Sequence, residues 1–280
     1  MRLIKNKIKR KKDGRMPVSV KISIIVLAVI ITASLISPLI ARHDPTKVDL
    51  LNKFQPCCGE YWFGTDDYGR CTFCKVLYAI RTSLGIALLT EGLSVVIGTL
   101  IGIFSAYIGG KVDYVINLIC EALLSFPSLI LTMVIVAFLG ASTQNIIIAM
   151  LMSNWIWYAR IARGMALSLK ERKYVQAAEI SGGKAHTIVF RHITPGVVTQ
   201  MIAQFTLAIG NTILGLAGFS FLGIGVQRPI PELGVMISDA CGLISTNFMV
   251  FFWPSIVLFI IVLGFNIIGD YINSFFQKTE

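Results

Sequence analysis

Long apolar stretches, separated by short polar ones, set the pattern of the chain. They cover about residues 22–41, 83–108, 114–139, a run beginning at 144, 196–222 and 251–272. A run of roughly 20 apolar residues crosses the ~30 Å hydrocarbon core of a bilayer as a helix. The pattern predicts an all-α polytopic membrane protein with six transmembrane helices. Residues 1–21 form a basic tail and 22–41 the first span, read as uncleaved because it is too long for a signal-peptide core. Residues 42–80 form a polar segment, and 81–275 hold the remaining spans.

Breaks inside the spans carry information. The second has Gly98-x-x-x-Gly102, a spacing that lets two helices approach closely. It also holds Glu91, and a charge at membrane depth is costly and often functional. The third holds Glu121 and then Phe126-Pro127, where the missing backbone donor predicts a kink. In the fifth, Asn211 and Thr212 interrupt the apolar run. Glu91, Glu121 and Asn211 are the candidates for a substrate path, with a structural pair or hydrogen bond near the cytoplasmic end as the alternative for Glu121. The stretch Asn154-Trp155-Ile156-Trp157-Tyr158-Ala159-Arg160 suits a membrane interface, where aromatic side chains collect.

Composition agrees with the pattern. The 280 residues are 55% hydrophobic and 14% charged, with a mean hydropathy of +0.74. A soluble domain carries about 25% charged residues. The net charge of +10 resides chiefly in the tail and one loop, so it reads as a topology signal, not a nucleic-acid surface. With both termini inside, 18 of the 25 Lys and Arg fall in inner segments and 7 in outer ones. No Walker A loop is present: neither Gly110-Lys111 nor Gly183-Lys184 has the upstream glycine or the following Ser/Thr. If ATP drives this protein, another chain binds it. No clustered His, Cys or Ser constellation argues for an enzyme, no cofactor is expected, and no internal repeat argues for a secondary transporter.

One polar segment stands apart. Residues 174–195, YVQAAEISGGKAHTIVFRHITP, read as a short helix, a break at Gly182-Gly183, a second short helix, and a new helix started by Pro195. Its basic flanks place it inside, so a cytoplasmic partner is expected to cover it. Gln176, Ala177, Ala178, Gly182, Ile193 and Pro195 together resemble the EAA loop of permease subunits in ABC importers. In that family the loop is a coupling helix seated in a groove of the ATPase. Here Gln176 stands for the family's Glu and Thr194 for its Leu, which removes one charge available for pairing.

Further stretches extend the resemblance. Phe63-Gly64-Thr65-Asp66-Asp67-Tyr68-Gly69-Arg70 resembles the GTD-x-x-GRD signature of nickel/peptide permeases, with Cys71 in place of an Asp. A structural role suits its turns and capping carboxylates. Ala217–Val226 resembles the family's SFLGLGV. Trp155–Arg160 and Gly234–Ala240 are similar to the nickel-type members. The resemblance implies a type I ABC importer permease of MetI-like fold in the cell membrane. It also implies a second homologous permease, two ABC ATPase subunits and an extracytoplasmic substrate-binding protein. Nickel, free or chelated, is the first expected substrate, and di- or oligopeptides the alternative.

Cys57, Cys58, Cys71 and Cys74 are unusual for that family. On an outer face they suggest one or two disulfides. The other reading is a four-thiolate metal site, for which adjacent cysteines are poor geometry.

Overall fold

The computed structural model describes residues 16–276 and is all-helical apart from one isolated bridge, Thr65 to Cys71. Most of the predicted basic tail lies outside the described residues. The first helix, α1 (Val18–Leu35), starts four residues before the apolar run, with Pro17 at its N-cap. It breaks at Ile36 ahead of the short turn Ser37–Ile40, because Pro38 has no amide to continue the ladder.

The polar segment expected over 42–80 ends in helix. A helix already begins at Thr72 and runs unbroken to Ile108 as α2. Its 37 residues span ~56 Å at 1.5 Å per residue, far more than a bilayer core. The predicted third span is two helices, α3 (Gly110–Leu124) and α4 (Ser128–Leu139), bent by 90° at Ser125–Pro127. The kink expected at Pro127 is therefore a full break. Helix α5 (Thr143–Lys170) is started by the Ser142 side chain, which accepts from the Asn145 amide.

Next come α6 (Lys173–Ile180) and α7 (Ala185–Phe221). Pro195 stands at the start of the α-helical stretch Thr194–Phe221, as expected, but no loop precedes that helix. Residues Val189–Ile193 form a π turn inside a continuous one, and the Thr194 amide reaches back to the Val189 carbonyl. Wide turns of this kind accommodate a proline, whose own donor is missing. The chain ends with α8 (Leu233–Ala240), capped by the Glu232 side chain, and α9 (Phe248–Phe276).

Among the described residues, four helices (α1, α2, α7 and α9) are long and apolar enough to cross a membrane, or five spans if the α3–α4 pair counts as one. The remaining predicted span, the fourth in chain order, is α5, which is long but more polar, carrying Asn154, Arg160 and Arg163. It packs against α2, α3, α4 and α7, and a helix enclosed by protein can hold polar groups that lipid would exclude.

The α2–α5 pairing is the most extensive in the fold. Gly98 and Gly102 let the two backbones touch. A Cβ at Gly98 would overlap the Trp155 carbonyl and the Ala159 amide, and one at Gly102 the Ala159 carbonyl and Arg163 amide. At the end holding the α2–α3 turn, Arg163 fixes Asp113 through two bonds of 2.6 Å each, and Ser105 donates to the same carboxylate. Helix α7 packs on α2 and α9, and α1 lies along α9.

Replacing Gly102 with Leu should therefore force the helices apart at a backbone contact that cannot yield. We expect a loss of at least about 2 kcal/mol, read as a lower thermal midpoint in detergent. An unchanged midpoint would contradict the close approach.

Candidate functional site

The segment 171–195 folds back on the helix ends. After α6, Gly182 takes a left-handed conformation (φ +79°). Its amide bonds to the Glu179 carbonyl and that of Gly183 to Ala178, both at 3.0 Å, which is a Schellman ending. The chain then turns into α7. Val175, Ile188, Val189, Ile193 and Val197 are buried together with Ile103, Tyr158, Ala162 and Ala166 of α2 and α5. Apolar positions on one side thus glue the segment to the helix bundle.

The other side is bare. Gln176, Ala177, Glu179 and Gly182 are exposed, Ala178 is half-buried, and Ile180 is 88% exposed. Tyr174 and Phe190 are also largely open. Of the six residues the sequence singled out, Gln176, Ala177, Gly182 and Pro195 are exposed, and only Ile193 is fully buried. The arrangement is a rigid, two-sided element with an uncovered apolar tip at Ile180.

The three candidate path residues do not converge. Glu91 is 2% exposed and enclosed by this chain's own helices. Asn154 Nδ2 donates to its Oε1 and the Tyr158 hydroxyl to its Oε2, each at 2.6 Å, and the Thr212 hydroxyl donates to Oε1. The carboxylate thus ties α2, α5 and α7 together. Tyr158 is buried, so it is not an interfacial aromatic. Asn211 lies on the exposed side of α7 while its neighbour Thr212 makes the contact. Glu121 is exposed and accepts from Asn117 Nδ2 at 2.6 Å within α3. Sequence reasoning missed the partners of Glu91. Asn154 and Tyr158, four apart on one helix, were the available signal.

At the opposite end, residues 42–71 wrap around the FGTDDYGR stretch. Asp66 is buried and accepts from the amides of Tyr68 and Arg70, from Arg70 Nε at 2.8 Å and from Lys75 Nζ at 2.7 Å. Burial alone would raise its pKa; Lys75, Arg70 and the amides outweigh burial and hold it below the ordinary carboxylate value. Thr65 receives the Gln55 amide, and the Phe63 ring stacks on Trp253 of α9 at 3.9 Å. All four cysteines of this end are free thiols, Cys57 and Cys58 exposed, Cys71 and Cys74 buried.

Residues 98–279 match the family of binding-protein-dependent transport system inner membrane components. The chain belongs to this family of importer permeases. It is 36% identical over 252 residues to the nickel transport system permease protein NikC of Escherichia coli strain K12, covering 90% of this chain and 91% of that one. It is 35% identical to the dipeptide transport system permease protein DppC of Alkalihalophilus pseudofirmus, over 89% and 82%. With the oligopeptide permease protein OppC of Bacillus subtilis, identity is 33% over 89% and 82%. The fold is that of a chain in an inward-facing MetNI methionine ABC transporter structure, at a TM-score of 0.56 and 17% identity, covering 72% of this chain and 96% of that one. The chain is thus a multi-pass ABC importer permease of MetI-like fold.

Two outcomes follow from this permease's polar nodes. Glu91→Ala strands three donors, two of them buried, and at ~0.6–1.7 kcal/mol per interhelical bond should cost about 2–5 kcal/mol in detergent unfolding, with Glu91→Gln losing less. A neutral Glu91→Ala would contradict the node. The depressed pKa of Asp66 means its stabilisation is complete above its ordinary value of 3.8 and is lost as pH falls through the lower folded value. Asp66→Asn should lower the thermal midpoint at neutral pH and flatten its fall in acid. A parallel acid limb in the variant would contradict the assignment.

Proposed function

We propose that this chain forms half of the translocation path of an ATP-driven nickel importer and couples it to a cytoplasmic ATPase through residues 174–195. The observation that carries the coupling reading is the two-sidedness of α6 and its Schellman turn. One side is locked into the core of α2, α5 and α7, and the other, from Gln176 to Ile180, has nothing on it. In this reading an ATPase subunit covers that surface, and motion of the ATPase pair moves α7 as a lever because no joint interrupts it from Ala185 onward. Both termini lie inside, six spans cross the membrane with α5 as the enclosed one, and residues 42–71 face the substrate-binding protein. A second homologous permease and two ATPase subunits complete the assembly.

Nickel is favoured by the similarity to NikC and by the Trp155–Arg160 and Gly234–Ala240 stretches. Di- or oligopeptides are the second reading, favoured by nearly equal identity to DppC. None of Glu91, Glu121 and Asn211 offers a convergent ligand set within this chain, so selection is assigned to the binding protein and to the paired permease.

Gly182→Val tests coupling. A Cβ there meets no neighbour, yet the left-handed backbone strains a β-branched residue. The variant should insert normally, and transport per ATP hydrolysed should fall several-fold in reconstituted complexes. Normal coupling would sink the assignment. For the substrate, cellular nickel should fall when the chain is deleted and recover when it is restored, without imitation by excess dipeptide. Unchanged nickel with lost growth on peptides would move the assignment to peptides.

A further inference from the structure

Cys71 and Cys74 take no part in the coupling surface or in the Glu91 and Asp66 nodes. Cys71 is the N-cap residue of α2 and Cys74 lies in its first turn. They are 3% and 1% exposed and pack together with Tyr61, beside Phe73 and Ala41. The two side chains lie in one buried cluster at the start of the helix. The neighbouring Cys74, then burial, pushes the Cys71 thiol up.

Access is through a cleft bordered by Arg42, His43, Glu60 and Trp62, whose lining includes both cysteines. The His43 ring stacks on Tyr61, and its buried Nε2 lies 4.0 Å from Glu60 with no hydrogen-bond partner among the described residues. A helix N-terminus carries partial positive charge and favours a thiolate. Residues three apart at a helix start fall within the 4.4–6.8 Å Cα window that a disulfide spans. Groups of three or more His, Cys, Asp or Glu side chains that could hold a metal ion are absent among the described residues. That sets the four-cysteine metal reading aside in favour of sulfur chemistry.

We propose that Cys71 and Cys74 are a redox-active dithiol that closes reversibly to an internal disulfide, separate from the exposed Cys57–Cys58 pair. The Cys74 thiolate attacks one sulfur of an external small-molecule disulfide, whose S–S bond breaks and releases one thiolate. Cys71 then gives up its proton, and its sulfur attacks Cys74 in the mixed disulfide and expels the second thiolate. The dithiol loses two electrons and two protons, and the external disulfide is reduced to two thiols. Closure fastens the end of the 42–71 segment, already bridged from Thr65 to Cys71, onto the first turn of α2. The site itself does not depend on the substrate; only its placement on the oxidising side of the membrane rests on the orientation proposed above.

The test uses the full chain in lipid nanodiscs, equilibrated over a series of oxidised-to-reduced glutathione ratios, quenched with N-ethylmaleimide and digested with trypsin. Cleavage after Arg70 and Lys75 releases Cys71–Lys75 as one peptide. Oxidising ratios should yield this peptide two hydrogens lighter and free of maleimide, reverting when reduced glutathione is restored. The double variant Cys57→Ser/Cys58→Ser should behave identically. A peptide carrying two maleimides at every ratio would overturn the proposal. So would Cys71 or Cys74 joined to Cys57, to Cys58 or to glutathione at full oxidation. Failure here leaves the transport assays unaffected, so the two readings fall separately.

Discussion

The backbone contact between α2 and α5 is the constraint on which the rest of the structure depends. Gly98 and Gly102 carry no side chain, so Trp155 and Ala159 bring their main chain directly against α2. Lipid gives helices no hydrophobic reason to associate, so close packing and polar bonds must supply it. The seam supplies both. Glu91 lies on the same pair of helices and draws in Asn154, Tyr158 and, from α7, Thr212. Arg163 and Asp113 close the far end. Once α2 and α5 are fixed, Ile103, Tyr158, Ala162 and Ala166 present the wall on which Val175, Ile188, Val189 and Ile193 seat the 171–195 element. The surface offered to a partner is therefore positioned by a contact between two glycines and a facing helix.

How much of this was legible beforehand depends on the range of the interaction. Local rules worked where one residue decides the backbone. The break at Gly182–Gly183 and the interruption at Pro127 follow from a left-handed turn and a missing donor. The glycine spacing at 98 and 102 marked a packing face. The place of Pro195 at the head of the α-helical stretch was legible, but the π turn that joins this stretch directly to Ala185–Ile188 was not. Apolarity alone does not account for α5: Asn154 and Arg163 bond to acids of α2 and α3 while Arg160 is exposed, and such pairing is a property of the whole bundle. The start of α2 was hidden because Thr72–Ile80 mixes polar residues into a helix whose buried Lys75 is neutralised from a distance by Asp66.

Polar groups inside the apolar runs teach the same lesson. From sequence, Glu91, Glu121 and Asn211 form one class, polar groups at membrane depth. The fold separates them into a three-donor node, an exposed intrahelical pair and an open surface position. Glu232 belongs with the first, fully buried while it caps α8 and receives the Ser83 hydroxyl of α2. Buried acids here hold helices together. In the mechanism we propose, transport moves this bonded unit, with residues 174–195 as its handle.

The central claim is that an ATPase subunit covers the bare side of α6. A photo-crosslinking residue, p-benzoylphenylalanine, placed at position 180 tests it most directly, in membranes containing the assembled transporter. The account predicts a light-dependent adduct with the ATPase subunit, and none from the same residue at buried position 193. No adduct at 180 in an assembled, transport-competent complex, or an adduct only with lipid, would contradict it.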